Sequence, residues 1–219
     1  MDRIKLYSNK FYLLNLQKNI MKLLFPILML FSGLVFSQKA IPDDFKKIPE
    51  ILDNPDLLYP FIKPEIQYEY WSILRKDTKD PIYESQSPKR MGIYDLPFTG
   101  QGFFDECEPN GCFTYLIVCQ SNEPKYFTNK QQLRDFISTV DNLPEALLIA
   151  KTYGFTVDSA DKMGSSYKID DKHISLYLSK MKNCPATKES FFIKIIRKNG
   201  KLESKSNGIY FKSEDCTGS

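Results

Sequence analysis

Residues 128–154, Thr-Asn-Lys-Gln-Gln-Leu-Arg-Asp-Phe-Ile-Ser-Thr-Val-Asp-Asn-Leu-Pro-Glu-Ala-Leu-Leu-Ile-Ala-Lys-Thr-Tyr-Gly, read as two helices in succession. Thr128-x-x-Gln131 has the spacing of a capping box, in which a short polar side chain and a glutamine or glutamate satisfy each other's free N–H groups. Leu133, Phe136, Ile137 and Val140 follow at helical spacing. Asn142-x-x-Glu145 repeats the box, with Pro144 in the first turn, where a missing N–H costs nothing. Ala146, Leu147, Ala150 and Tyr153 make the buried stripe expected of this second helix, and Gly154 is its expected stop.

Strand patterns flank the pair. Cys112 to Gln120 is aromatic and β-branched, and Pro124 to Phe127 can pair back onto it. Beyond the helices, Phe155 to Val157 and Ser166 to Ile169 are short strand candidates. Ile174, Leu176 and Leu178 alternate with Ser175, Tyr177 and Ser179, as in a strand with one buried face. Phe191 to Arg197 turns at Asn199-Gly200 into Lys201 onward. The result is an α+β fold, an antiparallel β-sheet with two consecutive helices on one face. This element order resembles cystatin-like or NTF2-like architecture over the second half of the chain, and no function is carried over from it.

Three regions follow: a leader over 1–37, an arm over 38–104 and the α+β domain over 105–219. The arm is rich in proline (Pro42, Pro49, Pro55, Pro60, Pro64) and in aromatic residues (Tyr59, Phe61, Tyr68, Tyr70, Trp71, Tyr83, Tyr94, Phe98, Phe103, Phe104), and it reads as irregular. In the leader, Lys22 precedes the apolar run Leu23–Phe36, and Val35-Phe36-Ser37 suits signal peptidase, with Gln38 as the first mature residue. The run is too short for a span and is broken by Pro26, Ser32 and Gly33, so no stable membrane segment is expected after cleavage. Met21 opens a signal of ordinary length, so translation is expected to start there, and residues 1–20 are expected to have no part in the mature fold. The expected location is periplasmic or extracellular.

The charge balance depends on that leader. The chain of 219 residues has a net charge of +3, but residues 1–37 alone carry +4, leaving −1 for the remainder. A near-neutral chain with arginine only at positions 3, 75, 90, 134 and 197 has little general attraction for nucleic acid.

Export permits disulfides, and all five cysteines lie beyond the leader. Cys184 and Cys216 flank the hairpin; a two-residue turn pairs Cys184 with Asp215, and one bulge brings Cys216 into place. Cys107 and Cys112 flank the turn sequence Glu108-Pro109-Asn110-Gly111, which makes them a second expected bridge. Cys119 ends an apolar run and reads as a buried small hydrophobe. The C-x4-C-x6-C spacing matches no zinc pattern, and Asp158 and Asp161 are too few for calcium, so neither metal nor cofactor is expected.

No nucleotide-binding, metalloprotease or serine-hydrolase motif occurs. His173, the sole histidine, follows Asp170-Asp171-Lys172 in an expected turn. A catalytic histidine needs an orienting carboxylate and a nucleophile within reach, and the sequence names no nucleophile. The reading is therefore an exported, non-catalytic protein that binds a protein, a glycan or a small ligand. Tyr68, Tyr70 and Trp71 are its candidate contacts, because aromatic rings give large contact area with few rotors. The alternatives are an exported hydrolase using a carboxylate pair and a structural envelope-associated protein.

Overall fold

The structure is a computed structural model, and the residues it describes are 40–76, 78, 80–85, 101–107, 112–121 and 123–216, with nothing said of the side chains of 105–107. The leader, Tyr94 and Phe98 lie outside them.

Helix α1 spans Lys130–Ile137 and helix α2 spans Leu143–Thr152. The box of α2 forms as expected, between Asn142 and Glu145. That of α1 is shifted by one residue, to Asn129 and Gln132. The shifted register favours asparagine over threonine as the cap. It also lets the Gln132 Oε1 accept from the backbone N–H groups of both Thr128 and Asn129.

All the described strands pair antiparallel. The first sheet has the order β1 (Lys46–Lys47), β7 (Ser165–Ile169), β8 (His173–Asn183), β9 (Ala186–Ile196) and β10 (Leu202–Lys212). The second has the order β3 (Tyr83–Glu84), β2 (Tyr70–Arg75), β5 (Cys112–Gln120) and β4 (Phe104–Cys107), and β6 (Glu123–Phe127) also pairs with β5. One core runs from Ile174, Leu176, Ile193 and Ile195 of the first sheet, through both helices, to Trp71, Ile73, Leu116 and Val118 of the second.

Several expectations change here. The single sheet becomes two, and α2 is buried on every side except at Lys151, in place of a one-sided stripe. A helix that is apolar all round belongs in an interior. Tyr153 ends up exposed at the cap, and Gly154 takes φ +80°, a left-handed turn that favours glycine. The stretch read as an irregular arm supplies β1 to one sheet and β2 to the other, and it buries Ile48, Leu58, Tyr59 and Ile62. Phe155 to Val157 contributes only a bridge, Thr156 to Ser179.

The β9–β10 loop spans Arg197–Lys201, with the Ile196 N–H donating to the Lys201 carbonyl at its base. Two register shifts in the hairpin, where a single bulge was expected, then carry the chain to the Cys184–Cys216 disulfide, with a Cα–Cα distance of 4.4 Å. The bridge closes a loop with a sequence separation of 32. In the chain-entropy treatment that is worth about 3–4 kcal/mol. Replacing both cysteines with serine should lower the urea midpoint by the corresponding amount, and an unchanged midpoint would show that the bridge constrains nothing. On the second sheet, the backbone register sets Cys107 opposite Cys112, and Cys112 is disulfide-bonded.

Candidate functional site

The three aromatic residues singled out from the sequence occupy different environments. Trp71 points into the core, 5% exposed, with ring centroids of Tyr83 at 4.8 Å and Phe136 at 5.3 Å. Tyr68 stacks on Phe136 at 5.6 Å, and burial raises its phenol pKa. Tyr70 points to the opposite face of β2 and donates to Glu84 at 2.9 Å, packed against Leu74, Tyr115, Ile117 and Cys119. Strand alternation separates Trp71 from Tyr70, so the three do not form one contact surface.

The reactive side chains considered from the sequence hold internal contacts. Cys119 is buried, and its thiol pKa is pushed up first by burial and then by the negative charge of Glu69. His173 opens β8, with Nδ1 3.5 Å from Asp170. Asp161 caps the short turn Lys162–Gly164.

Asp158 has the richest polar environment. It is 8% exposed, and its Oδ2 accepts from Lys188 at 2.8 Å and Tyr210 at 2.7 Å. Burial opposes its ionisation, but the bonds from Lys188 and Tyr210 outweigh burial and hold the carboxyl below the ordinary aspartate range. The Tyr210 phenol is pushed far up by its own burial and by Asp158. The signs follow by linkage. Asp158 contributes stability above the ordinary aspartate value of 3.8 that is lost as pH falls through its lower folded value. Tyr210 contributes stability below its ordinary value of 10.0 that is lost as pH rises towards its folded value. Asp158→Ala should cost about 1–3 kcal/mol near neutral pH, because it leaves two part-buried donors without their acceptor. It should also flatten both limbs of the stability–pH curve. Denaturation at pH 3, 7 and 11 checks this, and limbs as steep as those of the parent would contradict it.

The cluster also fixes how the first sheet meets solvent. Its inner face carries Ile174, Leu176, Leu178, Ile193 and Ile195, so the alternate residues face away from the helices. Segment 157–164 crosses one end of that outer face. There the Ser190 hydroxyl donates to the Met163 carbonyl at 2.5 Å and the Ser166 hydroxyl to the Lys162 carbonyl at 2.7 Å.

Ser166 is buried beneath this segment, and the outer face continues beyond it. Strand register aligns Lys47, Ser166, Tyr177, Phe192 and Lys205 in one row across five strands. Phe45 lies over this row, edge-on to Tyr177 at 5.0 Å and to Phe192 at 6.4 Å. Tyr177 is thereby buried, while Phe45 and Phe192 remain half-buried. A second row holds Lys168, Ser175, Lys194 and Glu203. Lys168 bonds Asp44, and Glu203 meets Lys201. Among the described residues no carboxylate lies within ion-pair distance of Lys47, Lys194 or Lys205.

No family model, curated protein or solved structure matches the chain.

Two clefts are the other concave features considered. One, about 450 Å³, lies between the C-terminal ends of α1 and α2 and the β9–β10 loop, and its arginine is already engaged. Arg134 donates to Thr152 and Gln131 and stacks on Tyr153 at 4.7 Å. The other, about 390 Å³, is lined by Leu52, Leu58, Leu147, Phe155 and Leu178 with Asp53 and Lys151. Among the described residues no group of histidine, cysteine and carboxylate side chains is placed to hold a metal ion, and no helix is long and apolar enough to cross a membrane.

Proposed function

We propose that this is an exported, non-catalytic binding protein, with the outer face of the five-stranded sheet as its contact surface. The observation that carries the reading is the cross-strand row from Lys47 to Lys205. It places the half-buried rings of Phe45 and Phe192 beside the buried Tyr177, with lysines at the ends that meet no carboxylate among the described residues, on the face turned away from the core. Rings supply contact area at low entropic cost, and the flanking charges orient the partner. The leader supports export, and the Cys184–Cys216 bridge agrees with an oxidising compartment.

The test has two arms. Intact mass of the exported protein should begin at Gln38, and a product that retains Leu23–Phe36 would contradict export. The purified mature protein should retain members of a printed glycan and peptide array, and Phe192→Ala should abolish that retention with the circular dichroism spectrum unchanged. An empty array, or turnover of an arrayed substrate that a single Asp or Glu substitution abolishes, would overturn the binding reading.

A further inference from the structure

We infer that three short turns in the proline-rich stretch form a docking surface for a second protein, one that offers a basic segment with aliphatic side chains. The surface shares no residue with the outer-face row proposed above. The turns are Glu50–Asp53, Pro55–Leu57 and Tyr59–Phe61, each abutting the next. With about three residues to a turn, adjacent side chains point in different directions. Leu58, Tyr59 and Ile62 go inwards and are buried, while Ile51, Leu57 and Phe61 are turned out, 65%, 41% and 51% exposed. Ile66 follows and is exposed as well. Four of the nine large hydrophobic side chains exposed among the described residues therefore fall within 51–66. Single exposed hydrophobic residues are ordinary, but such a concentration marks an interaction surface.

The display is fixed in the free protein. Backbone bonds close the turns, from the Leu52 N–H to the Pro49 carbonyl at 3.0 Å, from Leu58 to Pro55 at 3.0 Å and from Ile62 to Tyr59 at 3.1 Å. Asn142 and Glu145 tie the stretch to α2 through Phe61 and Lys63. A surface already ordered loses little entropy when it is covered. Beside Ile51 and Leu57, their chain neighbours Leu52 and Leu58 line the cleft of about 390 Å³ that runs in to Leu147, Phe155 and Leu178. An aliphatic side chain of the partner has an apolar place to enter there.

The charges set the sign of the partner. Residues 48–62 hold Glu50, Asp53 and Asp56 and no lysine or arginine. Arg75 neutralises Asp56 at 2.8 Å, but among the described residues no cation lies within ion-pair distance of Glu50 or Asp53. Lys151, the cation that lines the cleft, lies over the Phe104 ring at 5.0 Å. Lysine or arginine next to aliphatic side chains complements both features. A second copy in a symmetric pair would set two acidic surfaces against each other. An anionic membrane would be repelled by the same carboxylates.

The experiment is fluorescence anisotropy of the mature protein with three short labelled peptides, one of leucine and lysine, one of leucine and glutamate, and one of serine and lysine. The leucine–lysine peptide should bind most tightly, and its affinity should fall as salt is raised. Ile51→Ser/Leu57→Ser should weaken it about tenfold through the lost apolar contacts, with the fold confirmed by circular dichroism. Glu50→Lys/Asp53→Lys should transfer the preference to the leucine–glutamate peptide. Phe192→Ala should leave the binding unchanged, so this inference and the outer-face reading fail separately. Equal binding of the two leucine peptides, an Ile51→Ser/Leu57→Ser protein that binds as the parent does, or no binding at all would overturn the inference. Sedimentation of the parent as a dimer that this double substitution dissociates would assign the surface to a second copy instead. Flotation with phosphatidylglycerol vesicles that is lost in the same variant would assign it to lipid.

Discussion

Trp71→Ala should destabilise the protein by about 3–5 kcal/mol, the range for removing a buried tryptophan from a packed core. The indole is 5% exposed and touches the rings of Tyr83 and Phe136, so its loss opens a cavity between β2 and α1. Domains are stable by about 5–15 kcal/mol, so the change removes a large share of the whole. Urea denaturation measures it. Tyr70→Phe is the control, because it gives up one bond to Glu84 and should cost about 1 kcal/mol. A Trp71→Ala protein with parental stability would place the indole outside the core and restore it as a displayed contact.

Glu145→Ala should be nearly as damaging, by about 3 kcal/mol or more, through unsatisfied buried donors. Glu145 is fully buried at the start of α2, and its carboxyl accepts backbone N–H groups from Lys63 at 2.7 Å, Asp141 at 2.6 Å and Asn142 at 3.3 Å. The bond to Lys63 reaches outside the capping box and ties the proline-rich stretch to the helix, as does the Asn142 side chain donating to the Phe61 carbonyl. Burial pushes the Glu145 carboxyl above its ordinary range, against the hydrogen bonds that favour its ionised form. Glu145→Gln keeps one acceptor oxygen but sets its NH2 against a backbone N–H, so it should also destabilise, by less than alanine. Hydrogen exchange at the Lys63 amide should accelerate in the alanine variant relative to the parent. Parental protection there would show that the carboxyl does not hold this segment.

What could be read from the sequence was local. β5 forms over Cys112–Gln120 as read, because a β-branched, aromatic run is legible without its partners. The alternation in Ile174, Leu176 and Leu178 identified the inward face of β8, and the Asn142–Glu145 box gave the start of α2. What stayed hidden depended on distant pairing. Tyr70–Arg75 lacks alternation because residues on both its faces are buried, Trp71 and Ile73 towards the helices and Leu74 on the other side beside Tyr115 and Ile117 of β5. Its place beside β5 is a long-range pairing that no local pattern encodes. The all-round burial of α2 was legible in Leu143–Ala150, where Glu145 is the only charge, had the run been read as an interior helix. The candidate site was the least legible part. Phe192 and Tyr177 sit on recognisable strands, but Lys47 and Lys205 join their row only through the strand order and the bulged register of the β9–β10 hairpin.

The most direct test of the outer face as the contact surface is a map of backbone amide shifts while a glycan or peptide retained on the array is titrated into isotope-labelled mature protein. The perturbed amides should cluster at Lys47, Lys168, Ser175, Phe192, Lys194 and Lys205, with those around Trp71 and Leu116 unmoved. A saturable perturbation centred instead on the second sheet, around Tyr70 and Tyr126, or on the cleft beside Arg134, would contradict the assignment.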